Sequence, residues 1–232
     1  MSNLAGKTIL VTAGGTREYI DDVRVVTNIS SGALGAKIAE ELCQRGAKVH
    51  YVHAKHGIMP RETGFAETAR LNTWPIITVQ DLHDTMKTIL TAFKVDAVIH
   101  SAAVSDFTFE RDEAVKLSSS SAEDFIEFMR KTIRPTPKII SKVKEWAPDT
   151  HLVGFKFTVD KGEDELADIA WKMGEKVGCD FVIANDKERM KEARENMALF
   201  VNHCGIFTRA AGKDIIAKRL ADQLEIFCEC PI

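Results

Sequence analysis

Residues 7 to 46 read KTILVTAGGTREYIDDVRVVTNISSGALGAKIAEELCQRG, and the order of residue types in this stretch decides the fold class. Lys7–Thr12 is a short apolar run rich in β-branched residues, the pattern of a buried strand. From Ala33 to Arg45 the residues Leu34, Ile38 and Leu42 recur at helical spacing, and Gly46 stands where a helix takes its closing glycine. Between strand and helix lie two loops, TAGGTRE and TNISSGALG, dense in Gly, Ser, Thr and Asn. Such loops leave N–H groups exposed and let an anion approach closely, which points to phosphate binding. One serine-bearing turn, Ser30-Ser31-Gly32, is explained by helix capping alone. Two such loops in one crossover go beyond what a cap requires, and Arg17 or Arg24 supplies a neutralising cation.

Outward from this unit the alternation continues. Lys48–His53 reads as a strand, Val79–Phe93 as a helix, and Val95–His100 as a buried strand that ends in SAAVSD. Residues 105 to 121 have no helical period and close on four consecutive serines, so a mobile flap is expected there, followed by an alternating stretch over Phe125–Arg130. Thr136–Trp146 reads as helix, His151–Phe157 as strand, Glu163–Lys176 as helix and Phe181–Ala184 as strand. Met197–Val201 and Ile206–Arg209 form an expected β-hairpin, and Asp214–Phe227 an amphipathic closing helix. The expectation is an α/β, Rossmann-like fold in one domain over residues 1–232: a mainly parallel sheet, helices on both faces, a flap and a hairpin.

Composition bounds the function. A formal charge of −3 over 232 residues gives no electrostatic footprint for nucleic acid or an anionic membrane. No run approaches the roughly eighteen apolar residues of a membrane span. The 5 cysteines form no CxxC or metal-ligand spacing, as expected of buried thiols in a soluble, cytoplasmic protein. The histidines form no metal constellation, so no protein-held metal is expected, and no GxSxG elbow supports a hydrolase triad.

In an open parallel sheet, ligands bind at the carboxyl ends of the strands. The residues placed there are Gly14, Gly15, Thr16 and Arg17, then Arg24, Asn28, Ser30, Ser31 and Gly32, then Ala102, Ala103, Ser105 and Asp106, with Phe155 and Asn185 after later strands. Lys116 sits in the expected flap, and Lys172 and Lys176 share one helix face at i and i+4, where both could reach a polyanion. A nicotinamide oxidoreductase of the short-chain type is the rival reading. TAGGTRE is not GxGxxG, however, the second strand ends in His53-Ala54-Lys55 without a carboxylate for the ribose, and Tyr51-x-x-x-Lys55 comes too early in the chain. A non-catalytic nucleotide sensor on the same fold is a third reading.

With these residues in place, nearly the whole chain resembles the phosphopantothenate-cysteine ligase family. The resemblance is carried by TAGGTREYIDDVRVVTNISSGALG at residues 12 to 35, SAAVSDF at 101 to 107, Lys116 in AVKL, Pro137 in TPKII, Val153-Gly154-Phe155 and Ala184-Asn185-Asp186. It implies activation of the carboxylate of 4′-phosphopantothenate by a nucleoside triphosphate, CTP before ATP, as an acyl-nucleotidyl anhydride with loss of pyrophosphate, and then attack by the amine of cysteine. It implies a nucleotide site at Gly14, Gly15, Ser30, Ala103, Asp106, Lys116, Pro137, Lys138, Ile139, Ile140, Phe155, Lys172 and Lys176. Substrate contacts fall to Arg24, Asn28 and Ser31, Asn28 and Lys116 are catalytic, and Mg²⁺ is held mainly by phosphate oxygens. Many bifunctional bacterial members carry KIKK in the flap and NPDI before the next helix, where this chain has VKLSSSS and TPKII. The resemblance further implies a stand-alone ligase that forms a homodimer, through the segment near residues 197 to 209 or that around 60 to 78.

Overall fold

The first strand, β1 (Thr8–Ala13), sends alternate side chains to opposite faces of the sheet: Ile9, Val11 and Ala13 join one apolar cluster and Leu10 the other. The computed structural model describes residues 4–61, 70–110 and 121–229. After β1 come β2 (Arg17–Tyr19), β3 (Val25–Thr27), α1 (Ala33–Gln44), β4 (Lys48–Ala54), β5 (Leu71–Ile76), α2 (Val79–Ala92), β6 (Ala97–His100) and β7 (Phe107–Phe109). Then follow α3 (Ala122–Thr132), β8 (Ile133–Pro135), a single 3₁₀ turn over Ile139–Lys142, α4 (Val143–Trp146), β9 (His151–Thr158) and α5 (Glu163–Val177). The chain continues through β10 (Phe181–Asp186), α6 (Lys187–Ala193), β11 (Met197–Asn202), β12 (Gly205–Ala211) and α7 (Lys213–Glu229).

Eight strands form one sheet in the order β12-β11-β10-β9-β6-β1-β4-β5. The six from β10 to β5 are parallel, while β11 and β12 close one edge as an antiparallel hairpin. Because crossovers between parallel strands return over a face, both faces are covered. Side chains of α1 and α7 pack with Ile9, Val11, Phe181 and Phe200 on one side; those of α2, α4 and α5 pack with Leu10, Val98, Leu152 and Val182 on the other. The expected mainly parallel α/β sheet with its hairpin is therefore the observed architecture. No helix among the described residues is long and apolar enough to cross a membrane.

The differences from expectation have local causes. Phe125–Arg130 is not an alternating strand but part of α3: Phe125, Phe128 and Met129 stand at helical spacing, and the Ser121 hydroxyl caps the helix by accepting the Asp124 N–H at 3.0 Å. Thr136–Trp146 is not one helix, since Pro137 and the extended Lys138 precede a 3₁₀ turn that leads into the short α4. The sequence LNTWPI forms β5 despite Pro75 because β5 is the sheet edge, where a missing N–H costs no ladder bond. Of the expected flap, Phe107–Phe109 is a strand paired antiparallel with β8, and residues 111–120, Lys116 among them, lie outside the described residues.

Phe181 is fully buried and stacks on Phe200 and Phe227, with centroids 6.1 Å and 5.6 Å away. Phe181→Ala is expected to lower stability by about 3–5 kcal/mol, read as a shift of the urea midpoint at unchanged slope.

Candidate active site

The parallel pairing of β1 with β6 ends at Thr12 and His100, yet the two chains stay together beyond the sheet edge. Gly15 forms an isolated parallel bridge with Ala103: the Ala103 N–H donates to Gly14 O at 2.8 Å and the Thr16 N–H to Ala103 O at 3.2 Å. Buried threonine hydroxyls complete the junction. Thr12 Oγ1 accepts the Ala102 N–H at 3.1 Å, and Thr16 Oγ1 accepts the Ser105 N–H at 2.9 Å. The loop before α1 is tied in from the other side, with Thr27 Oγ1 donating to Thr16 O at 2.8 Å and Asn28 Nδ2 to Val104 O at 2.9 Å. The turn after β4 supports it: Ile58 N–H donates to Ser31 O at 2.9 Å, while the buried Tyr51 hydroxyl donates to Ile58 O at 2.8 Å.

Two glycines are required by this approach. A Cβ on Gly15 would lie 2.5 Å from Asn28 O, closer than any van der Waals contact allows. Gly32 is the N-cap of α1 with φ of 75°, and a Cβ there would meet Gly14 N at 3.1 Å. Serine capping does not account for the loop, because α1 has no side-chain cap and only the Ser31 hydroxyl reaches an amide, the Ala33 N–H at 3.4 Å.

Gly14, Gly15, Asn28, Ser30, Ser31, Ala103 and Asp106 thus lie on loops that converge at the carboxyl ends of β1 and β6. Asn28 and Ser31 are exposed and Ser30 is half-buried. Thr136 docks the next segment onto the junction, its N–H donating to Asp106 O at 3.0 Å, and Lys138 forms an ion pair with Asp106. Pro137 and Lys138 are exposed, Ile140 is half-buried, and Ile139 is buried in the core. Phe155 follows Gly154, the register partner of His100, so it stands half-buried at the same edge of the sheet. Arg24 pairs with the buried carboxylate of Asp21, which also accepts the Val23 and Arg24 N–H groups at 2.8 and 2.7 Å.

Of the two helix lysines Lys176 is not brought to this edge, while Lys172 adjoins Met173, whose side chain would meet a Cβ on Gly154 at 3.4 Å. A crossover helix starts at the carboxyl edge and runs back, and α5 ends where the Asp180 N–H meets Leu152 O at the start of β9. Lys176 is therefore roughly 20 Å along the helix from its first residue, towards the opposite edge. The hollow lined by Leu166, Asp186, Arg189 and Arg209 also lies elsewhere, beside β10 and β11, with Glu163 pairing to both arginines.

Sequence reasoning assigned no role to Glu18, which is buried and accepts the Val79 N–H at 2.7 Å and the Thr108 hydroxyl at 2.6 Å, tying β2 to both α2 and β7. Nor did it single out Thr12 and Thr27, and it named Thr16 only as one of the loop residues. The available signal was their position inside or beside the glycine-bearing loops, but a threonine in a strand reads first as β propensity. Among the described residues no group of three His, Cys, Asp or Glu could hold a metal ion.

Residues 4–227 match the model of the DNA/pantothenate metabolism flavoprotein C-terminal domain. The chain belongs to this family. It is 36% identical over 223 residues, 96% of its length, to the coenzyme A biosynthesis bifunctional protein CoaBC of Thermococcus kodakarensis. The chain spans only 52% of that relative, about half, as it does for the other curated relatives it matches over nearly all of its own length. Among solved structures, the DNA/pantothenate metabolism flavoprotein from Streptococcus pneumoniae superposes with a TM-score of 0.79 at 34% identity, covering 96% of this chain and 100% of that one. A mutant of Cab2 in complex with phosphopantothenate-cysteine shares the fold, with a TM-score of 0.70 at 19% identity over 99% of this chain and 90% of that one.

The family's glycine-bearing loop is the tightest point of the junction. Gly15→Ala is expected to force Asn28 O away and to weaken binding of triphosphate by about tenfold or more by isothermal titration, while costing about 1–3 kcal/mol of stability.

Proposed function

We propose that this chain is a phosphopantothenate-cysteine ligase acting in coenzyme A assembly, with CTP as the first co-substrate and ATP as the alternative. In the first step a carboxylate oxygen of 4′-phosphopantothenate attacks the α-phosphorus of the triphosphate. The bond to the β-phosphate breaks and pyrophosphate leaves. In the second step the cysteine amine attacks the acyl carbon, the tetrahedral oxyanion collapses with departure of the nucleoside monophosphate, and the amine proton is lost to solvent.

The exposed Asn28 amide carries this reading. One Nδ2–H is fixed on Val104 O at 2.9 Å, which orients the group and leaves the second N–H for the acyl oxygen as negative charge develops. The Gly14–Gly15 and Ser30–Ser31 loops offer backbone and hydroxyl groups to phosphates, and Arg24, held by Asp21, offers a partly exposed guanidinium to the phosphate of the acid substrate. Lys116 is assigned the charge that offsets the α-phosphate. With no carboxylate or histidine cluster among the described residues to hold it, Mg²⁺ enters as part of the triphosphate co-substrate, on phosphate oxygens. The Thermococcus relative's name, a coenzyme A biosynthesis bifunctional protein, agrees with this chemistry.

Sustained pyrophosphate release is expected only when acid, cysteine and triphosphate are all present, faster with CTP than with ATP; acid and triphosphate alone are expected to release no more than about one equivalent per site. Asn28→Ala and Lys116→Ala are each expected to lower kcat by about 10²-fold or more with KM for the triphosphate changed far less. Nicotinamide fluorescence changes without pyrophosphate release would replace the reading with an oxidoreductase.

A homodimer completes the proposal, and besides the segments near residues 197 to 209 and around 60 to 78 we put forward a third surface for it. Val23, Val25 and Ile29 around β3 and Phe107, Ile126 and Ile133 on the β7-α3-β8 arm are exposed apolar residues on the same side of the fold as the junction. Val25→Asp is expected to halve the sedimenting mass in analytical ultracentrifugation; an unchanged mass would remove this surface from the interface.

A further inference from the structure

Thr12 and His100 are register partners at the last paired position of β1 and β6, and both are buried. The Thr12 hydroxyl lies 3.1 Å from His100 Nδ1 and 3.1 Å from the Ala102 N–H. A hydroxyl has one proton and two lone pairs, and a backbone N–H can only donate, so the Ala102 amide occupies a lone pair. His100 Nδ1 is the one acceptor that the described residues bring within hydrogen-bond distance of the hydroxyl proton, so we assign that proton to the Nδ1 bond, with the ring neutral and its own proton on Nε2. A charged ring would carry a proton on Nδ1 and turn it against that hydroxyl proton. Burial works in the same direction, holding the His100 ring well below its ordinary 6.5, at about 4. Thr12 grips the loop a second time, because its carbonyl accepts the Ser101 hydroxyl at 2.5 Å. From Ala102 the chain passes directly to Ala103, bonded to Gly14, and to Val104, whose carbonyl receives Asn28.

We propose that Thr12 and His100 form a buried positioning pair: the neutral imidazole accepts a hydrogen bond from the Thr12 hydroxyl, the hydroxyl oxygen is thereby aimed at the Ala102 N–H, and the loop so fixed sets the orientation of Asn28. The consequence for turnover rests on the ligase reading; the hydrogen-bond arrangement itself does not. Both side chains are buried, so the pair acts through the loop.

Three proteins test it: the wild type, Thr12→Ser, which keeps the hydroxyl, and Thr12→Val, which keeps the branched shape suited to a strand. In Thr12→Val, amide hydrogen exchange at Ala102 is expected to accelerate by about tenfold or more while Ile9 and Val98 in the sheet are unchanged. Thr12→Ser is expected to stay within about twofold of wild type. Long-range nitrogen-proton NMR of the wild type is expected to show His100 Nδ1 without a proton from about pH 7 to about pH 5. In the pyrophosphate assay Thr12→Val is expected to lose about tenfold in kcat with KM for the triphosphate within about twofold, and Thr12→Ser to restore it. A protonated Nδ1, or Ala102 exchange in Thr12→Val equal to wild type, overturns the pair; altered exchange with undiminished kcat overturns its positioning role. A wild type that releases no pyrophosphate refutes the ligase reading instead, and exchange and ring protonation still decide the hydrogen-bond arrangement.

Discussion

The structure turns on parallel backbone pairing carried past the edge of a sheet. Between β1 and β6 the ladder should stop where the strands diverge into their loops, but Gly15 and Ala103 add one more bridge beyond it. That bridge is possible only because Gly15 has no side chain at the point where Asn28 O approaches. Backbone groups that would otherwise need water or a ligand are satisfied by one another, and the surface they present is rigid before any substrate arrives. A glycine-bearing loop here is thus a packing device as well as the anion site we propose.

The junction is held mainly by neutral groups. Thr12, Thr16 and Thr27 make their bonds to backbone atoms, and the two acids closest to them, Glu18 and Asp21, spend their oxygens on N–H groups, a hydroxyl and one guanidinium. Charge is kept at the rim, in Arg24 and in the exposed Asp106–Lys138 pair. Exposed pairs of that kind contribute little to stability, typically under about 1 kcal/mol, so they can exchange partners with an incoming anion at small cost. A buried neutral frame with cations at its edge suits the proposed reaction, in which a triphosphate enters and pyrophosphate leaves.

Several features of this site could be read from residue order alone. The apolar run at Lys7–Thr12, the helical spacing of Leu34, Ile38 and Leu42, and the glycine and serine loops between them suffice for a strand-loop-helix unit with a phosphate-type site. The same rules located Asn28 and the Ala102–Asp106 segment, because both follow strands. They failed where the environment overrode local pattern. Pro75 sits in β5 only because that strand is an edge, and Lys176 shares a helix face with Lys172 as the spacing required but on the part of α5 that runs away from the loops.

What the sequence by itself determined was the class of fold, the order of its main strands and helices and the loops at the carboxyl ends of the strands, since these follow from hydrophobic period and from the few residues able to turn the chain. Tertiary structure alone decided which loops touch: that Gly15 pairs with Ala103, that Thr12 reaches both His100 and Ala102, and that Glu18 ties α2 to β7. Those contacts join residues about 60 to 90 positions apart in the chain. The register between strands sets them, and register is a property of neighbouring strands in the folded sheet that no single segment encodes.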